Sequence, residues 1–124
     1  MENSLNIFVL EDSLERIKWF EETFEDCNIF FTKKVKEACE KLRSEKYDLI
    51  FLDRDLGSIE ENGEEVANMM RKEKLSPNAC IIIHTVNPFG QANMKKYLKS
   101  YHKNVNMIDF TQLIKMKRED FKIN

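Results

Sequence analysis

Short apolar runs, each stopped by acids or a polar turn, organise the chain. Residues 5–10 are apolar except for Asn6 and end in Glu11-Asp12, which predicts a strand with most of both faces buried. Leu14, Ile17, Phe20 and Phe24 then recur at helical spacing, predicting an amphipathic helix over residues 13–24, with Asp12 and Glu15 placed as a capping box. A second strand is expected at residues 28–31. Val35, Ala38, Cys39 and Leu42 mark a second helix that runs out near Ser44. Residues 48–52 contain Leu49-Ile50-Phe51-Leu52, a strand buried on both faces, followed by Asp53-Arg54-Asp55-Leu56-Gly57. After a polar loop at residues 58–62, Val66, Met69 and Met70 line a helix over residues 63–72. Residues 79–83 form a fully buried strand ending in His84-Thr85-Val86-Asn87-Pro88. Met94, Tyr97, Leu98 and Tyr101 share a helical face within residues 91–101, and core packing is the expected fate of that face and of Phe89. A last strand at residues 105–109 and a helix over residues 111–121, with Leu113, Ile114 and Phe121 inward, close the chain.

Five βα units with short connections imply a parallel sheet covered on both sides. Right-handed crossovers and this size favour a flavodoxin-like, three-layer α/β domain with strand order 2-1-3-4-5, spanning residues 1–124. At 42% hydrophobic and 34% charged, the chain reads as globular and well solvated. A net charge of −2 favours neither nucleic acid nor an anionic membrane as an obligate partner. The basic run Lys115, Lys117 and Arg118 reads as a solvated helix face. Cys27, Cys39 and Cys80 have no zinc or redox spacing and read as reduced thiols in a cytosolic protein. Nothing resembles a signal peptide or a membrane span.

The chemistry follows from the topology. In such a sheet the crevice lies at the carboxyl ends of the strands where their order reverses. The first strand delivers Glu11 and Asp12 there, the third Asp53 and Asp55, the fourth His84, Thr85 and Asn87. Each pair of carboxylates about 5 Å apart costs on the order of 3 kcal/mol at an effective dielectric near 20. A proton or a cation relieves that repulsion. Hard oxygen donors in an accessible crevice suit Mg²⁺, with Mn²⁺ close behind, and leave room for a phosphate. A nearby cation or phosphate would tune His84 for acid–base work. His102, in the polar turn 100–104, is expected to be solvated, and Pro88 to form a rigid turn that aims Thr85 and Asn87 into the crevice. Gly57 and Gly90 are expected to mark backbone turns.

Ile7-Phe8-Val9-Leu10-Glu11-Asp12-Ser13 resembles the start of a response-regulator receiver domain, in which an acidic pair binds Mg²⁺. By that resemblance Asp53 matches the phospho-accepting aspartate, Thr85 the phosphate-contacting Ser/Thr, and Gly63 a Gly before the next helix. Receivers place a Lys at the end of strand 5, where this chain has Met107-Ile108-Asp109-Phe110. Asp53-Arg54-Asp55-Leu56-Gly57, Asn62-Gly63 and His84-Thr85-Val86-Asn87-Pro88-Phe89-Gly90, with Met94, resemble a narrower group, the cyclic-phosphate processing receiver-like domains, over roughly residues 5–100. That family shows Asp-His-Asp-Leu-Gly and His-Ser-x-Asn-Pro. Here Arg54 stands for the His and Thr85 for the Ser, and Arg16 lies deep in the helix, away from the position of the Arg that often follows the first acidic pair.

The resemblance implies a divalent metal (Mg²⁺ or Mn²⁺) held by Glu11, Asp12 and Asp53. Asp53, Asp55 and His84 would be catalytic, and Thr85 and Asn87 would hold phosphate. The substrate would be a cyclic nucleotide phosphate or an RNA end bearing one. The alternatives are a receiver phosphorylated on Asp53 by a histidine kinase, or a degenerate binding module.

Overall fold

The computed structural model describes residues 5–57, 62–85 and 87–121. Its elements are β1 (Asn6–Leu10), α1 (Leu14–Thr23), β2 (Asn28–Thr32), α2 (Val35–Ser44), β3 (Leu49–Leu52), α3 (Gly63–Glu73), β4 (Cys80–Ile83), α4 (Pro88–Lys99), β5 (Asn104–Met107) and α5 (Phe110–Leu113), with a 3₁₀ turn at Arg118–Asp120. All strand pairs are parallel, in the order β2-β1-β3-β4-β5. The expected architecture is therefore the observed one. Of the expected loop 58–62, residues 58–61 lie outside the described residues, as does Val86.

Strand alternation divides the core into two layers. Phe8, Leu10, Ile50, Leu52, Ile81 and Ile83 pack with α2, α3 and α4. Ile7, Val9, Leu49, Phe51, Cys80 and Ile82 pack with Phe20 and Phe24, Leu113 of α5, and Phe121. Both faces of β1, β3 and β4 are thus apolar, which accounts for their unbroken hydrophobic runs. Register then places the site. Leu10, Leu52 and Ile83 lie side by side across the three central strands. The ladder continues one residue further, where Asp53 N–H donates to Leu10 C=O and His84 N–H to Leu52 C=O. Glu11, Asp53 and His84 therefore form one row, on the parity of Val9, Phe51 and Ile82, toward α1.

Several sequence expectations need correction. Ser13, not Asp12, caps α1, its hydroxyl accepting from Arg16 N–H. Leu14 is 82% exposed rather than inward, because it sits in the first turn, beyond the sheet's end. α4 begins at Pro88, not near residue 91, with Asn87 as its cap, so Gly90 lies inside a helix rather than in a turn. Phe89, in that first turn, is 83% exposed, and Tyr101 is exposed too; of the expected aromatic face only Tyr97 packs against the core. The C-terminal helix stops after one turn at Leu113, and Ile114 is exposed. Continuing the helix would place Lys117 and Asp120 beside Met116 on its inward face, so no unbroken apolar stripe extends it. Phe121 returns to the core after the 3₁₀ turn instead.

His102 is buried, not solvated. Nε2 lies 2.6 Å from Leu75 C=O and Nδ1 3.2 Å from Leu98 C=O, so the ring sits against two carbonyls near the ends of α3 and α4. Cys27, Cys39 and Cys80 are free thiols, as expected. Among the described residues no helix is long and apolar enough to cross a membrane.

Candidate metal and phosphate site

Glu11 is the anchor of the row. Its side chain is fully buried and both of its oxygens are engaged. Oε2 accepts the N–H groups of Asp12 (3.1 Å) and Ser13 (3.0 Å), just ahead of α1. Oε1 lies 2.7 Å from Nε2 of His84, which is equally buried. Burial alone would raise the Glu11 pKa. The His84 hydrogen bond and charge, the Ser13 N–H and Arg16 outweigh it and hold the carboxyl below its usual range.

Asp53 is also buried, at 4% exposure. Its Oδ1 accepts from Arg54 N–H (2.7 Å) and, at 3.4 Å, from Asp55 N–H. Burial, with Glu11's negative charge adding to it, pushes the Asp53 carboxyl up; His84 and Arg16 offset only part of this. Asp12 is half-buried, and its pKa is raised by burial and by Glu11. Its Oδ2 lies 2.9 Å from where a Cβ on Gly57 would stand, and Gly57 has φ +85°, so glycine is needed there on both counts.

One donor atom each from Glu11, Asp53 and His84 lie within 4.8 Å of one another. Two carboxylates and an imidazole form a chemically reasonable donor set for a divalent cation. Asp12 is not part of this group. It instead lines an adjoining cleft of about 620 Å³ with Ser13, Glu15, Arg16, Trp19, Asp53, Asp55, Phe110 and Ile114. Asp55 reaches the cleft but is tied to Arg54 (2.8 Å).

Thr85 is fully buried, and its hydroxyl accepts Asn87 N–H at 3.2 Å, while its carbonyl accepts from Gln91 Nε2. Asn87 Oδ1 accepts from Phe89 and Gly90 N–H, both at 3.0 Å. Asn87 thus works as the cap of α4, with Pro88 at the first helical position.

The sequence reading underrated Arg16. Its Nη1 stands 3.6 Å from both Glu11 Oε1 and Asp53 Oδ2. The signal was present in the helical period: Arg16 lies one turn before Phe20, on the face of α1 that covers the strand row. The acid in place of the strand-5 Lys has a local task, since Asp109 caps α5 through Gln112 N–H and Thr111 Oγ1. Arg54 lies across the start of α4. Its Nε meets Glu64 Oε2 at 2.5 Å, and Glu64 Oε1 accepts from Asn93 Nδ2 at 3.1 Å. A Cβ on Gly90 would fall 2.0 Å from Arg54 Cδ. Glycine there lets the arginine pass and join α3 to α4.

The model of the cyclic-phosphate processing receiver domain matches residues 7–100. The chain belongs to that family. No curated protein matches its sequence. Among solved structures, this cyclic-phosphate processing receiver domain is similar to the response regulator TrrA of Thermotoga maritima in complex with Mg²⁺-BeF. The two are 26% identical over 86% of this chain and 88% of that one, with a TM-score of 0.63. It is also similar to the receiver domain of a sensor histidine kinase from Pseudomonas aeruginosa, which has a magnesium ion coordinated in its active-site cleft. There the identity is 16%, the coverage 95% and 91%, and the TM-score 0.68. The chemotaxis protein CheY4 of Vibrio cholerae is 16% identical, with 91% and 95% coverage and a TM-score of 0.69. These likenesses establish the receiver fold.

Proposed function

We propose that this domain binds a phosphate-bearing ligand at the ends of β1, β3 and β4 with a divalent cation, and opens a cyclic phosphate on a nucleotide or an RNA end. The buried row Glu11–Asp53–His84 is the observation that carries the reading. Phospho-acceptance needs Asp53 and its acidic neighbours. A buried imidazole 2.7 Å from Glu11 adds a proton-carrying group that acceptance does not require. Glu11 and Asp53 would hold the cation, which on binding supplies charge neutralisation and Lewis acidity toward a phosphate oxygen. His84 holds or passes a proton at Nε2, under the control of Glu11. Asp55, at the cleft, orients the ligand or accepts a proton from water. Thr85 and Asn87 shape the phosphate-facing loop, since their side chains fix the turn into α4.

A second reading, phosphorylation of Asp53 by a histidine kinase, is favoured by the position of Asp53 at the end of β3, lining the cleft. One comparison separates the two. The full chain is incubated with Mg²⁺ or Mn²⁺ and, in parallel, with 2′,3′-cyclic nucleotides or acetyl phosphate. Turnover of the cyclic nucleotide, lost in Asp53→Asn and His84→Asn, supports the hydrolytic reading. A stable gain of one phosphoryl group on Asp53 without turnover favours acceptance. If neither occurs and no metal binds, the site is a degenerate binding module.

A further inference from the structure

We propose that Arg16 is the resident counter-ion of this site and that a divalent cation must displace it in order to bind. The proposal rests on the cation site proposed above. Each carboxylate of the row has one oxygen committed to backbone. Glu11 Oε2 takes the N–H groups of Asp12 and Ser13, and Asp53 Oδ1 those of Arg54 and Asp55. The oxygens not taken by backbone are Glu11 Oε1, which His84 Nε2 also meets at 2.7 Å, and Asp53 Oδ2, and Arg16 Nη1 is 3.6 Å from both. A single guanidinium nitrogen thus stands between the two carboxylates, Glu11 and Asp53, that would hold a cation.

Two contacts keep it there. Arg16 Cζ lies 5.0 Å from the centre of the Phe110 ring, a cation–π seat. The Arg16 backbone is pinned by the Ser13 cap. A dication and a guanidinium in contact across two carboxylates would repel each other strongly. Displacement has a route, because the Arg16 side chain is 29% exposed and borders the cleft, where Glu15 and Asp55 supply alternative carboxylates. Moved there, the guanidinium faces the space a phosphate ester would enter, and a planar donor fork suits such a ligand. Arg16 is therefore a positioning residue that sets how tightly the metal is held.

Metal titration tests this without any substrate. Trp19 is the chain's one tryptophan and lines the same cleft, so its emission reports on the site. The full chain, Arg16→Gln and Phe110→Leu are each titrated with MgCl₂ and MnCl₂. Binding is followed by Trp19 fluorescence and by electron paramagnetic resonance of free Mn²⁺, and folding is checked by circular dichroism. Arg16→Gln is expected to bind the metal about tenfold more tightly than the wild type, a typical size for site coupling. Phe110→Leu, which removes the π seat while keeping an apolar side chain beside Trp19 and Phe20, shifts affinity in the same direction by a smaller factor, read from free Mn²⁺ because Phe110 touches the fluorophore. Unchanged or weaker binding in Arg16→Gln overturns the proposal while leaving the cation site standing. Absence of metal binding in both wild type and Arg16→Gln overturns the proposal and the cation reading together.

Discussion

With both oxygens of Glu11 engaged inside the protein, replacing it by Gln keeps the shape and removes the charge. The amide turns an acceptor into a donor on one side, so either His84 or the Asp12 and Ser13 N–H groups lose a partner. Glu11→Gln is expected to lower stability by about 2 kcal/mol, the usual scale for a buried hydrogen bond to a charged group. Thermal melts at neutral pH measure it. Tyr47 makes a second residue-scale case, at the opposite end of the sheet. Burial, with a smaller contribution from Glu45, pushes its phenol from 10.0 up to about 12. The folded state therefore favours the neutral phenol. Its contribution is intact below pH 10 and is lost as pH climbs through the folded value near 12. Urea melts at pH 7 and at pH 11 should show Tyr47→Phe losing less stability on alkalinisation than the wild type. At this scale the carboxylates and His84 were legible because each directly follows an apolar strand. Sequence adjacency hides the parity of Asp12, which lines the cleft beside Asp53 and Asp55. It is one residue past Glu11 and so faces the cleft, whereas His84, in the row, shares Glu11's parity. Arg16 was missed because its distance along the helix was weighed rather than its direction.

The elements themselves were largely predictable, because three central strands buried on both faces leave little ambiguity. Failures gathered where packing, not period, decides. The C-terminal helix was overextended because Leu113, Ile114 and Phe121 read as one inward helical face in sequence, whereas Ile114 is exposed and Phe121 reaches the core only after the chain has left the helix. The start of α4 was placed late because Asn87-Pro88 was read as a turn, although Asn followed by Pro is also a helix cap and first position. Helix propensity alone says that Gly→Ala at either Gly63 or Gly90 should help by about 1 kcal/mol. The structure reverses this. A Cβ on Gly63 would lie 2.0 Å from the backbone oxygen of Asp53, which the sheet holds in place. Gly63→Ala is expected to cost about 3 kcal/mol and to disturb the Asp53 loop. At Gly90 the obstacle is the Arg54 side chain, which can swing away, so Gly90→Ala should cost about 1 kcal/mol. Urea melts that rank Gly90→Ala as the more damaging of the two would contradict this reading.

Across the whole molecule, the sheet order brings Glu11, Asp53 and His84 from well-separated parts of the chain into one row. Strand alternation and right-handed crossovers make that order legible in the sequence. What sequence could not show is how the two helices flanking the site are tied together. Arg54 bonds to Glu64 on α3, and Glu64 bonds to Asn93 on α4. In the language of amide exchange, this chain of contacts, with Arg54 lying across Gly90, makes the first turn of α3 and the N-terminal turns of α4 a single opening unit. Deuterium uptake in the two turns should proceed at matched rates in the wild type. In Arg54→Ala both turns keep their asparagine caps, but the α4 turn loses the side chain that lies across Gly90 and should exchange several-fold faster than the α3 turn. One arginine laid across a glycine thereby decides whether the rim of the cleft breathes as one piece or as two.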